Sequence, residues 1–279
     1  MGGGAVPQKP GSVPDARHIL ITGAGGGIGR ELCRTFARPG RTLTLWARNA
    51  ERLAVVEEEC RSLGARTRVI SQDVRDYAAC RERLRGLMAE SPVDLAILNA
   101  GVSSGTLPDG SPEPVEDACR TMEINGVGAI NMAGTLLESM RTQGGHLVCI
   151  SSLAALYPLP SSPAYCAAKS ALAFYAKAMR GVLAGCPVRI SIVYPGYVDS
   201  PMSRRLKGPQ PMRWSAEKAA IHIRERLEAG SDTIVFPWLL ALGTVALHML
   251  PRPLETFFAK RFSFTIDPDP ESPAHGGSS

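Results

Sequence analysis

Tyr165 and Lys169 stand four residues apart in the stretch Ser162–Ala171. A phenol is a poor proton donor or acceptor near neutrality, because its ordinary pKa is about 10. A neighbouring cation favours the phenolate and brings the group within range for proton transfer. On a helix, positions i and i+4 share a face, so this spacing sets the ammonium beside the phenol. The same spacing also occurs on solvated helices, where it makes only a surface contact.

Four further stretches narrow the chemistry. Thr22–Gly29 (TGAGGGIG) follows the apolar run His18–Ile21. Its glycines 23, 27 and 29 permit a tight turn and close backbone approach to a pyrophosphate at a helix N-terminus. A glycine-rich turn without a ligand is the competing reading. The literal G-x-G-x-x-G fingerprint fails, since Ile28 stands where its last glycine would fall. Leu98–Gly101 follows a second apolar run, and Ile150–Ser152 and Tyr194–Val198 come later. In this order the five motifs closely resemble the short-chain dehydrogenase/reductase family, over roughly residues 16–236.

The resemblance implies a set of roles. Tyr165 is the proton donor. Lys169 lowers its pKa and hydrogen-bonds the nicotinamide ribose. Ser152, thirteen positions before the tyrosine, holds the substrate oxygen, while Ser151 is a structural hydroxyl. Asn125 is the fourth catalytic residue, supporting a helix distortion and a water that links the lysine to solvent; a satisfied core asparagine is the alternative. Gly23, Gly25, Gly27, Ile28 and Gly29 form the cofactor loop in the family's T-G-x-x-x-G-x-G spacing, with Arg48 and Asn49 beyond the second strand. Asp73 and Val74 lie beside the adenine, unless Asp73 caps the following helix. Asn99, Ala100 and Gly101 support the cofactor, and Pro195, Gly196 and Val198 surround the nicotinamide carboxamide.

Cofactor choice turns on Ala47 and Arg48. An NAD enzyme usually carries an acid at the first position for the ribose 2′-hydroxyl. Here the acid is absent and a guanidinium follows, which favours the 2′-phosphate of NADP over NAD. One such charge-assisted hydrogen bond is worth roughly 1.5–3 kcal/mol. Gly26 lacks the second basic residue that many NADP-preferring relatives place in the glycine loop. The expected activity is hydride transfer between NADPH and a hydrophobic, lipid- or steroid-like carbonyl or secondary alcohol. An NAD-linked alcohol dehydrogenase is the runner-up. A non-catalytic NADP-binding sensor or scaffold is the competing class.

These residues need a scaffold. Apolar runs at 18–22, 42–46, 67–71, 94–98, 146–151, 188–194 and 233–236 alternate with helical patterns at 28–38, 50–63, 76–90, 112–141, 164–185 and 215–229. Such alternation predicts an α/β fold: a doubly wound (Rossmann) parallel sheet of about seven strands with helices on both faces. Ligands then bind at the carboxyl ends of the strands. Ser215, with Glu217 after it, reads as a helix N-cap. The organisation expected is a disordered tail (1–15), one catalytic domain (16–236), an apolar helical extension (237–266) and a disordered tail (267–279).

With 44% hydrophobic and 20% charged residues the chain is ordinary for a globular protein. A net charge of +5 without a basic block beside aromatic residues gives nucleic-acid binding little support. Seven scattered cysteines form no CxxC pair and no metal-ligand cluster with the histidines, which predicts a reduced cytoplasmic chain without a metal. No signal peptide is apparent. Residues 199–214 stand where the family places a mobile substrate lid, with Met202, Met212 and Trp214 as an apolar wall and the basic residues either meeting an anionic group or, the favoured reading, simply solvated. The run 234–250 is marginal for a membrane span, which usually needs about 20 residues. It reads either as a core or dimer helix, or with 254–262 as an interfacial hairpin making peripheral membrane contact. This ending loosely resembles membrane-associated family members such as 3-ketodihydrosphingosine reductases. A homodimer or homotetramer is expected.

Overall fold

The computed structural model describes residues 13–247 and 264–269. Expectations that fall on 1–12, 248–263 and 270–279, including the 254–262 arm of the interfacial hairpin, lie outside the described residues. Seven strands form one sheet: β1 (His18–Thr22), β2 (Thr42–Ala47), β3 (Arg66–Ser71), β4 (Leu95–Leu98), β5 (Gly145–Ile150), β6 (Val188–Pro195) and β8 (Thr233–Phe236). Their order is β3-β2-β1-β4-β5-β6-β8, and every neighbouring pair is parallel.

The central strands β1, β4 and β5 are buried at every residue, as a sheet covered on both faces requires. At the edge, β3 carries Arg66, Thr67 and Arg68, and charge there discourages pairing with another chain. One face packs Leu32, Phe36, Leu53 and Ile223 from α1 (Gly27–Phe36), α2 (Ala50–Ser62) and α7 (Ala216–Glu228). The other packs Leu84, Met132, Leu136 and Leu172 from α3 (Tyr77–Glu90), α5 (Ala129–Gln143) and α6 (Pro163–Val182). The strand order reverses at β1 and β4, so their carboxyl ends open a crevice between the two runs of the sheet. Ser215 caps α7 by accepting from the Lys218 N–H at 3.1 Å.

Three features add to the pattern of strands and helices read from the sequence. The helix expected over 112–141 is α4 (Val115–Met122), a π-helical turn at Glu123–Gly128, and α5. The extra residue in that turn accompanies the burial of Asn125, whose amide is bonded to another segment's backbone. Beyond β8, α8 (Trp238–Leu247) turns one face to the crevice and leaves Trp238, Leu242 and Val245 exposed. Finally, β9 (Thr265–Ile266) pairs antiparallel with β7 (Leu206–Lys207), and Asp267 and Asp269 continue that packing. The expected start of a disordered tail at 267 therefore falls inside a packed stretch, because its acids meet arginines and a lysine.

Candidate active site

The glycine loop joins β1 to α1. Gly23 has φ +67°, a backbone conformation that disfavours any side chain, and a Cβ on Gly29 would lie 2.1 Å from the Gly23 carbonyl oxygen. The loop and the first turn of α1 can therefore close only around glycine. Its other wall is the turn after β4. The Thr22 hydroxyl accepts from the Asn99 and Ala100 N–H groups at 2.9 and 3.0 Å, and the Asn99 amide donates to the Thr22 carbonyl at 3.1 Å.

A single cleft of about 850 Å³ runs from this loop along the carboxyl ends of the strands. Gly23, Gly25, Gly27 and Ile28 line it, as do Arg48, Asn49, Asp73, Val74, Asn99, Ala100 and Gly101. So do Ser152, Tyr165, Lys169, Pro195, Gly196 and Val198. Gly29 and Asn125 are fully packed behind the lining.

The reacting groups come from three elements. Ser152 follows β5 beside the Tyr165 phenol, its hydroxyl accepting from the Ala154 N–H at 3.1 Å. Tyr165 and Lys169 occupy the first turns of α6, with the Lys169 ammonium 5.9 Å from the Tyr165 ring centroid. Lys169 Nζ donates to the Ile150 carbonyl at 2.9 Å, and the Ser151 hydroxyl donates to the Lys169 carbonyl at 2.9 Å. These two bonds fasten α6 to the end of β5. Asn125 accepts from the Val102 N–H and donates to the Val102 carbonyl, both at 2.8 Å. A Cβ on Gly101 would lie 3.0 Å from Asn125 Oδ1 and 3.4 Å from Lys169 Nζ, so a glycine there lets the two side chains approach.

The electrostatics differ from the sequence expectation in one respect. Burial pushes the Tyr165 phenol up to about 12, only partly opposed by the Ser152 hydroxyl; the expected lowering by Lys169 does not govern it. Burial instead draws the Lys169 ammonium down to about 8. Both shifts follow from desolvation of the charged form. A phenol at about 12 holds its proton at neutral pH, the state needed to protonate a carbonyl oxygen as it gains charge.

At the far end of the glycine loop, Arg48 lies 3.9 Å from the Asp73 carboxylate. Asp73 does not cap α3. Asp76 does, accepting from the Ala79 N–H at 3.1 Å, while Asp73 closes its own turn onto the Arg75 N–H and guanidinium. Sequence reading missed Arg52, which lines the cleft beside Arg48. The signal available was Asn49 as N-cap of α2, its Oδ1 accepting from the Arg52 N–H at 2.8 Å, which fixes Arg52 in the first turn. Glu113 was also missed: it accepts from the Ala164 N–H at 3.2 Å, placing a carboxylate at the positive end of α6.

The loop 199–214 contributes Met202 and Met212 to the cleft wall, joined by Leu206, Leu239, Leu240 and Phe264. Trp214 is no part of that wall; it stacks on Phe236 at 4.8 Å and meets His222 edge-on. The basic residues of the loop are paired with acids rather than simply solvated: Arg204 and Arg213 with Asp199, Lys207 with Asp267, and Arg205 with Asp269.

Residues 17–210 match the family model described as short chain dehydrogenase. The chain belongs to the short-chain dehydrogenase/reductase family. It is 32% identical over 247 residues to an uncharacterized oxidoreductase of Myxococcus xanthus, covering 88% of this chain and 97% of that one. It is 36% identical over 197 residues to a sepiapterin reductase of Chlorobaculum tepidum, covering 67% and 80%. A crystal structure of a short-chain dehydrogenase/reductase from Mycobacterium marinum superposes with a TM-score of 0.69 at 26% identity, covering 80% of this chain and 97% of that one. This short-chain dehydrogenase/reductase is therefore an oxidoreductase of a family that uses a nicotinamide dinucleotide. Its own residues fit such a group: no Cβ fits at Gly23 or Gly29, so the backbone of this turn lies open to the cleft at the N-terminus of α1, where a pyrophosphate would bind.

Proposed function

We propose that this short-chain dehydrogenase/reductase is an NADPH-dependent reductase of hydrophobic ketones, its residues acting as follows. The glycine loop and the start of α1 would bind the pyrophosphate, and Lys169 and the Asn99–Gly101 turn would hold the nicotinamide ribose; a nicotinamide held there would supply a hydride. Ser152 holds the carbonyl oxygen, and Tyr165 delivers a proton to it as charge develops. Asn125 positions Lys169 through the Val102 backbone and the Gly101 turn.

The observation that carries the reading is one cleft in which the Ser152–Tyr165–Lys169 group lies between a basic end, with Ala47, Arg48 and Arg52, and an apolar end walled by Met202, Leu206, Leu239 and Leu240. The basic end favours a 2′-phosphate, and the apolar end favours a lipid- or steroid-like substrate over a sugar. Asp73 beside Arg48 supports the second reading, an NAD-linked alcohol dehydrogenase, because it offsets part of the positive charge.

The test combines cofactor titration with turnover on a panel of lipid and steroid ketones. Tyr165→Phe should abolish NADPH oxidation while leaving NADPH affinity within about two-fold. Arg48→Ala should weaken NADPH binding by about ten-fold or more and NADH binding little. Equal losses for both cofactors would remove Arg48 as the phosphate reader. Tight NADPH binding by the wild type without turnover of any ketone would favour a cofactor sensor.

A further inference from the structure

Opposite the glycine loop, the apolar end of the cleft is closed by a contact between two stretches far apart in sequence. Leu206 and Lys207 of β7 pair with Ile266 and Thr265 of β9. Arg205 and Asp267 exchange backbone contacts: the Asp267 N–H donates to the Arg205 carbonyl at 2.9 Å, and Arg205 Nε donates to the Asp267 carbonyl at 3.0 Å. Lys207 Nζ lies 3.0 Å from the Asp267 carboxylate. The strand is anchored below as well. The Ile266 N–H donates to the Thr106 carbonyl at 2.9 Å, the Phe264 N–H donates to Ser161 Oγ at 3.1 Å, and both side chains are buried.

Asp269 joins the two sides. Its Oδ2 accepts from Arg120 Nη1 of α4 at 2.9 Å and lies 3.7 Å from Arg205 Nη1 of the loop. Arg120 is 8% exposed, and its Nη2 has no hydrogen-bond partner among the described residues. A buried guanidinium that loses its counter-charge is strongly disfavoured. Arg205 and Asp269 both line the substrate end of the cleft, as do Leu206 and Phe264 on either side of the pairing.

We propose that Asp269 is a positioning residue: through Arg120 and Arg205 it makes β9 a strap that ties the 199–214 loop to the body of the domain and sets how tightly the cleft closes over its apolar end. The strap holds the loop whatever the loop covers, and its effect on substrate rests on the ketone-reductase reading. Removing the Asp269 charge takes away the carboxylate shared by Arg120 and Arg205, with Asp117 and Asp267 the acids that remain near Arg205, and releases the strap. The loop then opens at its β7 end, while the glycine loop, which meets 199–214 at Ser200, keeps its own bonds to the Asn99 turn.

Limited trypsin digestion of the full chain, followed by mass spectrometry at Lys207 and Arg213, tests the strap without any substrate. Asp269→Asn should raise cleavage at these two sites by about ten-fold through local opening, with no change at Arg61 or Arg85 on the other flank of the sheet. Asp269→Glu, which keeps the charge, should restore most of the protection. Unchanged cleavage in Asp269→Asn overturns the proposal, and so does acceleration at every site alike, which marks general loosening. In turnover, Asp269→Asn should raise KM for a ketone substrate while NADPH affinity holds, and parallel losses of both would likewise overturn it. A wild type that turns over no ketone, yet shows the expected digestion pattern, leaves the strap standing and removes the reductase reading.

Discussion

Lys169 shows most plainly how position alters a side chain. Its ammonium is buried at the end of β5 with one carbonyl partner, and burial lowers its pKa from 10.5 to about 8. Below pH 8 both the folded and unfolded chains keep the proton, and folding carries the full cost of burying it. Between about 8 and 10.5 the folded state sheds the proton while the unfolded state retains it, so this cost is relieved as pH rises. The full cost is about 3 kcal/mol. Buried thiols act in the opposite direction: Cys149, raised to about 12, loses stability as pH climbs through the ordinary thiol range. Comparison with Lys169→Met largely cancels that shared background. In urea unfolding the variant should be the more stable at pH 7, with its advantage shrinking by about 2 kcal/mol by pH 9.5. An advantage that does not change with pH would refute the depressed ammonium.

Among the elements, the π-helical turn at Glu123–Gly128 and the start of α6 do the positioning. The π turn presents Asn125 to both backbone groups of Val102, the residue after the Asn99–Gly101 turn. Glu113 and Pro163 set the start of α6, so that Tyr165 falls in its first turn opposite Ser152. In Asn125→Ala the Val102 N–H and carbonyl lose buried partners, at a cost of about 2–4 kcal/mol. Thermal unfolding should then fall by roughly 5 °C or more. A midpoint within about one degree of the wild type would mean that water or a neighbour replaces the amide with little loss, and that the turn does not depend on Asn125.

At the scale of the whole molecule, the apolar wall of the cleft has an outer side. Leu239, Leu240 and Leu247 of α8 face the cleft, while Trp238 (71% exposed), Leu242 (58%) and Val245 (50%) face outward at helical spacing. Among the described residues no helix is long and apolar enough to cross a membrane. An outward apolar stripe over a hydrophobic cleft suits a lipid surface from which substrate enters, or a second subunit. Replacing Trp238 and Leu242 with serine distinguishes them. Lost liposome binding with an unchanged oligomer identifies a membrane face, and a dissociated oligomer identifies a subunit interface. A variant that alters neither property assigns the stripe to neither role.

The sequence alone determined the parallel sheet, the glycine loop and the order of the reacting residues, because each is written in local pattern: apolar runs of strand length, glycines where no Cβ fits, and a tyrosine and lysine one helical turn apart. Even the cap at Ser215 is local, a hydroxyl three residues from the N–H it accepts. What the sequence left open depends on partners far along the chain. Asp73 was a cap or a cofactor neighbour until Asp76 took the cap, and Arg52 became a candidate only when α2 carried it beside Arg48. Trp214 read as a lid residue, but Phe236 and His222 draw it under the sheet edge. Asp269 sits in a stretch whose composition reads as a tail; only the approach of Arg120, 149 residues away, gives it a place. Tyr165 likewise reads as an acidified phenol from its spacing to Lys169, yet burial, which belongs to the assembled core and not to any local pattern, decides the direction of both pKa values.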